Sequence, residues 1–169
     1  MATVPKYSAN DERITPLELF LCVNDAFGFN LDVCASKSNA KCQVFITKRD
    51  DGLSIDWSNH ILDAPVFAWC NPPYSNWREW VRKAVQQRAL GVTTVVLIPP
   101  WTDRQGWHDW ATGADEIIFL KGRVQFDTPV ETGRKSGNPD GSTLLVFRPR
   151  ISNAEYGNPK LVTWDWKGI

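Results

Sequence analysis

Four consecutive residues, Asn71-Pro72-Pro73-Tyr74, bring together groups suited to one kind of chemistry. Asn71 offers a side-chain carbonyl, Pro72 a backbone carbonyl and Tyr74 a flat ring. The two prolines lack an N–H and hold φ at about −65°. They also keep the residue before each of them extended. The chain therefore crosses this stretch as a stiff arm with its carbonyls free. Two acceptors beside a stacking face suit a planar group that carries an exocyclic amine. No Ser/His/Asp set, glycine-rich phosphate loop or paired-carboxylate motif offers a competing chemistry.

Such an arm needs a frame that ends where it begins. VFAWC (66–70) is an apolar run leading straight into it and reads as a buried strand. LDVCA (31–35) and QVFIT (43–47) read as earlier strands, and TTVVLIPP (93–100) as one buried on both faces, as in a parallel sheet. EIIFLKG (116–122) and TLLVFRP (143–149) complete the set. Thr15-Pro16 before LELFLCVNDAFG reads as an N-cap, a proline at the first helical position, an apolar face and a stop at Gly28. The periodicity predicts a second helix over 76–90, with Trp77, Trp80, Val81, Ala84 and Val85 on one face and Gly91 as its cap. A weaker helical stretch covers 102–113, where Trp107 and Trp110 share a face and His108 lies at the surface.

Alternating strands and helices imply an α/β fold with a mostly parallel sheet and right-handed crossovers. The polar, turn-rich insert 123–142 allows the last strand to enter antiparallel. In such sheets ligands bind outside the carboxyl ends of the strands, which is where Asn71 stands. With 169 residues the chain is expected to form a single compact domain, 1–169, with no separate recognition domain.

Composition excludes several classes. Hydrophobic residues make up 43% and charged residues 22%, so disorder is excluded, while nine Trp, eight Phe and three Tyr form an aromatic surplus. Lys and Arg balance Asp and Glu at 19 each, which rules out coating a polyanion by bulk charge. The balance is local, however: net −3 over 11–56, and +3 over each of 78–88 and 121–150. Cys22, Cys34, Cys42 and Cys70 show no CxxC pair and only two His are present, so no metal site is expected. Free thiols, no apolar leader and no membrane-length run predict a soluble, cytoplasmic protein.

The arm and its neighbours resemble a known family. Asn71-Pro72-Pro73-Tyr74 is similar to the Asp/Asn-Pro-Pro-Tyr motif of S-adenosylmethionine-dependent amino-methyltransferases. FGFNLDVCAS (27–36), NAKC (39–42), DGLSIDW (51–57), WCNPPYSNW (69–77) and FLKGR (119–123) look like the phage-type, Dam-like DNA N6-adenine methyltransferases over roughly residues 10 to 150. The resemblance implies a Rossmann-like methyltransferase sheet, S-adenosyl-L-methionine as cofactor and DNA as substrate. It places Asn71, Pro72, Pro73 and Tyr74 at the target base, with Asn71 also among the cofactor-binding residues. Thr15 and Pro16 would line the pocket at the cofactor's methionine end, Asp32 would contact its amino acid moiety, and Cys34, Ala35 and Ser36 would form the adjacent loop. Asp56 and Trp57 would meet its adenine. The family's FxGxG loop is replaced here by CASKSN, and Asp50 or Asp51 is the candidate for the ribose. Arg78, Arg123, Arg134 and Lys135 are the candidates for DNA contact. Methylation of another amine, in RNA or a protein glutamine, and a catalytically inactive nucleic-acid-binding relative stay open beside DNA adenine methylation. For a phage-encoded enzyme the host cytoplasm would be the place of action, in modification or evasion of restriction.

Overall fold

The computed structural model describes residues 13–127, 136–137, 139–150 and 157–168. Its centre is a seven-stranded sheet of β1 (Leu31–Ala35), β2 (Val44–Thr47), β3 (Phe67–Cys70), β4 (Thr93–Ile98), β5 (Glu116–Leu120), β8 (Ser142–Phe147) and β9 (Lys160–Trp164). The spatial order is β2-β1-β3-β4-β8-β5-β9. Only β8 runs against the rest, paired antiparallel with both β4 and β5. This is the mostly parallel, Rossmann-like sheet that the sequence predicts, with the antiparallel strand where the polar insert leads into it. That strand is not the last: β9 follows and pairs parallel with β5 at the sheet edge. The short β6 (Gln125–Phe126) and β7 (Ser136–Gly137) pair antiparallel within the insert.

Strict alternation along the strands builds two cores. Val33, Ala68, Cys70, Val96, Ile98, Ile117, Leu145 and Phe147 point to one face. They pack against α2 (Trp77–Gln87) and α3 (Gln105–Trp110). Trp69, Val95, Leu97, Ile118, Leu144 and Val146 point to the other, where α1 (Leu17–Phe27) buries Leu19, Phe20 and Val23. Strands buried on both faces read as unbroken apolar runs, hence TTVVLI with every residue buried. Much of the aromatic surplus is spent here, in Trp57, Trp69, Trp77, Trp80 and Trp107.

Two details bear on the site. From β1 the chain moves outward to β2 and then crosses back to β3 on the other side of β1. The carboxyl ends of β1 and β3 thus flank a switch point, the position at which open α/β sheets bind ligands. In addition, Ile98 pairs with Thr143 and Leu120 with Ser142. Both ends of the insert therefore open on that same rim.

Candidate active site

Asn71 follows β3 directly, and its amide is fixed from two sides. Its Nδ2 donates to the Arg13 carbonyl at 2.6 Å and to Thr15 Oγ1 at 3.0 Å. A backbone carbonyl only accepts, so the amide nitrogen must face it and Oδ1 must face away. That Oδ1 is buried and has no hydrogen-bond partner among the described residues. Thr15, which the sequence reads as a helix cap, is 2% exposed and is committed to Asn71 instead. Pro16 takes the N-cap position itself with φ −58°, and α1 starts at Leu17.

Beyond the prolines, Asn76 N–H donates to the Pro73 carbonyl and closes a 3₁₀ turn from which α2 starts. Tyr74 lies in this turn and is 7% exposed. Trp101 and Phe126 meet its ring nearly at right angles, with centroids 5.8 and 6.1 Å away. The Arg13 guanidinium lies 4.8 Å over its centre. Burial pushes the phenol well above its ordinary pKa, against the pull of Arg13, and the hydroxyl has no hydrogen-bond partner among the described residues. Tyr74 is therefore a neutral ring, not a base.

Asp32 is the second residue of β1 and is 3% exposed. Its two oxygens accept from the backbone N–H of Cys34 at 3.3 Å and of Lys41 at 3.0 Å, which tie the loop after β1 back to the strand. Burial raises its pKa to about 6, and those bonds with the Lys41 charge offset only part of the rise. Ser36 closes the same loop, its N–H donating to Asn39 Oδ1 at 2.7 Å. Burial pushes the Cys34 and Cys70 thiols far up and Cys42 to about 12, so none of the three is a nucleophile near neutral pH.

The block after β2 divides. Asp56 is exposed, with Oδ1 receiving a long contact of 3.4 Å from Gln87 Nε2. Trp57 corrects the sequence reading. It is wholly buried, donates from Nε1 to the Gly52 carbonyl at 2.7 Å and stacks on Trp80, so it is core and presents no face to a cofactor. Asp50 accepts from the Thr47 N–H and hydroxyl, and Asp51 from Ser54 Oγ, so both shape the turn after β2.

Among the DNA candidates, Arg78 is exposed at the start of α2 and lies across Gly106 of α3. Arg123 is exposed and donates to the Pro139 carbonyl. Arg134 and Lys135 lie outside the described residues. The basic surplus of 78–88 and 121–150 is divided between the two rims. Arg88 is buried and shares Asp115 with Arg150 at the opposite, amino-terminal rim.

Sequence reasoning missed Arg13, Phe126 and Arg104 and gave Trp101 no role. Trp101 donates from Nε1 to Asp140 Oδ2 at 3.1 Å, and the Arg104 guanidinium lies 3.7 Å over its ring. One signal was available: Pro99-Pro100-Trp101 after β4 repeats the Pro-Pro-aromatic pattern of Pro72-Pro73-Tyr74 after the adjacent β3. Among the described residues no three His, Cys, Asp or Glu side chains gather as metal ligands, and no helix is long and apolar enough to cross a membrane.

Residues 2–161 match the family described as DNA N-6-adenine-methyltransferase (Dam). The chain is 32% identical over 160 residues to the DNA N-6-adenine-methyltransferase of Haemophilus phage HP1 (strain HP1c1), covering 92% of this chain and 87% of that one. It is 26% identical over 151 residues to the enzyme of the same name from Escherichia phage T1, covering 79% of this chain and 61% of that one. With the Asn-Pro-Pro-Tyr arm held at the switch point of a Rossmann-like sheet, this chain belongs to the family of DNA N6-adenine methyltransferases.

Proposed function

We propose that the chain methylates the N6 amine of an adenine turned out of DNA, with S-adenosylmethionine as donor. The observation that carries this reading is the fixed amide of Asn71, whose buried Oδ1 is left as an acceptor without a partner among the described residues. An orphaned buried acceptor costs about 1–3 kcal/mol, and a substrate N–H recovers it.

The residues present fit the donor. Asp32 is a buried carboxyl whose charge is only partly offset by its partners, which suits the ammonium of an amino acid moiety. Thr15, Pro16 and the loop Cys34–Ser36 would line the same crevice, and Asp56 would accept from the donor's adenine. When bound, S-adenosylmethionine supplies an electrophilic sulfonium methyl.

The amine of adenine is a weak nucleophile because its lone pair is delocalised into the ring. Asn71 Oδ1 and the Pro72 carbonyl accept its two N–H groups and favour a tetrahedral nitrogen. As positive charge develops there, both acceptors hold it more tightly than the neutral amine, which is stabilisation specific to the transition state. Asn71 is no base, so the proton leaves after transfer. Extruding the base costs a few kcal/mol, and stacking on Tyr74 offsets part of that. The insert 123–142, opening on the same rim, would contact the flanking DNA.

Incubation with methyl-labelled S-adenosylmethionine and unmethylated DNA, RNA or protein tests the reading. Label recovered as N6-methyladenine from digested DNA is the expected result. Label confined to RNA or protein would refute it, and no label with no binding of the donor would mark an inactive relative.

A further inference from the structure

Arg13 touches both halves of the arm. Its carbonyl accepts from Asn71 Nδ2 at 2.6 Å, while its guanidinium lies 4.8 Å over the Tyr74 ring and 5.7 Å from the centre of Phe126. The next residue, Ile14, exchanges two backbone hydrogen bonds of 3.0 Å with Asp127, in the insert. Residues 13–15 thus run as one short crosspiece between the insert, Asn71 and the ring.

The guanidinium is planar and lies over the ring on which the base would stack. Trp101 and Phe126 stand nearly perpendicular to Tyr74, so neither offers it a stacking partner of its own. We infer that Arg13 is the plug of the target-base pocket: its guanidinium holds the Tyr74 face in the DNA-free enzyme, and an incoming base must displace it. This rests on the reading of Tyr74 as the base-stacking ring. At the ring itself the exchange is nearly even, because a cation over an aromatic face and a base on one are interactions of similar strength. A plug of this kind shields the ring from solvent before substrate arrives and raises the threshold for extrusion. Only a base that also satisfies Asn71 then gains enough to stay.

The residue's two tasks are separable. The bond to Asn71 and the pairing of Ile14 with Asp127 are made by backbone, so Arg13→Ala removes the plug and leaves the crosspiece in place. Sequencing methylated plasmid DNA locates the adenine acted on, and a duplex with 2-aminopurine at that position reports extrusion by fluorescence under saturating enzyme. The wild type should raise the emission. Arg13→Ala should shift the ratio of extruded to stacked base by a further factor of about 2 to 30, the range of a cation–π contact. Arg13→Lys, which keeps a cation, should fall between them, and the effect should vanish in a Tyr74→Ala background.

An enhancement by wild type that Arg13→Ala leaves unchanged or lowers would overturn the plug alone, as would an equal gain in the Tyr74→Ala background. No enhancement in either protein would overturn the reading of Tyr74, and the plug with it.

Discussion

At Asn71 the amide matters because of what lies behind it. A side chain with only acceptors would set an oxygen against the Arg13 carbonyl, 2.6 Å from the present nitrogen, whereas the amide donates there and turns Oδ1 away, as the proposed contact with the substrate amine requires. Asn71→Ala should lower kcat by about 10²–10³-fold, the usual loss for one preorganised polar group, in steady-state methylation of plasmid DNA. Tyr74→Ala should lose most activity while calorimetric binding of S-adenosylmethionine persists; equal loss of both would make Tyr74 structural. Asp32 gives a pH signature. Its pKa is raised to about 6, so the free protein holds that proton more tightly than the unfolded chain does, and acidification from pH 6 towards 4 stabilises it. An ammonium ligand prefers the ionised carboxylate. Donor affinity should therefore rise with pH up to about 6, by at most tenfold per unit, and level off above. Asp32→Asn should flatten the profile, and a wild-type affinity that is constant between pH 5 and 7 would count against contact with Asp32.

The loop from Asp50 to Asp56 is held by packing as much as by hydrogen bonds. A Cβ on Gly52 would stand 2.8 Å from the Val33 carbonyl and 3.0 Å from the Trp80 ring, and a backbone oxygen in a central strand cannot yield cheaply. Gly52→Ala should cost about 1–3 kcal/mol, read as a Tm lowered by several degrees. Trp57→Ala should cost more, about 3–5 kcal/mol, through lost core volume and the lost bond to Gly52. If Trp57→Ala melted like wild type while weakening donor binding, its assignment to the core would be wrong. Elements like these set the limit of what could be read in advance. The central strands were legible because burial on both faces leaves an unbroken apolar signature, and Asn71 was legible because two prolines mark it. Lys160–Trp164 was not, since an edge strand with a half-exposed face carries a weak pattern. Trp57 misled because one indole reads alike as core or as stacking surface. Arg13 was invisible because it reaches Tyr74 beside Ile14, which pairs with Asp127, a contact 113 positions away along the chain that no local spacing encodes.

At the scale of the whole molecule, zero net charge is a sum over two rims. On the amino-terminal rim Asp115 accepts from the Arg148 N–H at 2.7 Å, from Arg150 at 2.8 Å and from the buried Arg88 at 2.8 Å. Burial pushes this carboxyl up, but the three donors outweigh it and hold it below its ordinary value. These cations therefore serve the fold, and Asp115→Ala should destabilise strongly by stranding Arg88. Arg78, Arg104 and Arg123 are exposed on elements that follow the carboxyl ends of β3, β4 and β5. On duplex DNA each neutralised phosphate contributes about 0.9 to the slope of log affinity against log salt. A few such contacts predict a shallow slope, of magnitude about 3, where a protein coating DNA by bulk charge would show a much steeper one. Arg78→Ala and Arg104→Ala should each reduce it by about 1 and weaken all duplexes alike, since phosphate contacts position without reading sequence. Binding measured from 50 to 200 mM salt decides this. An unchanged slope in both variants would move the DNA to another face of the molecule.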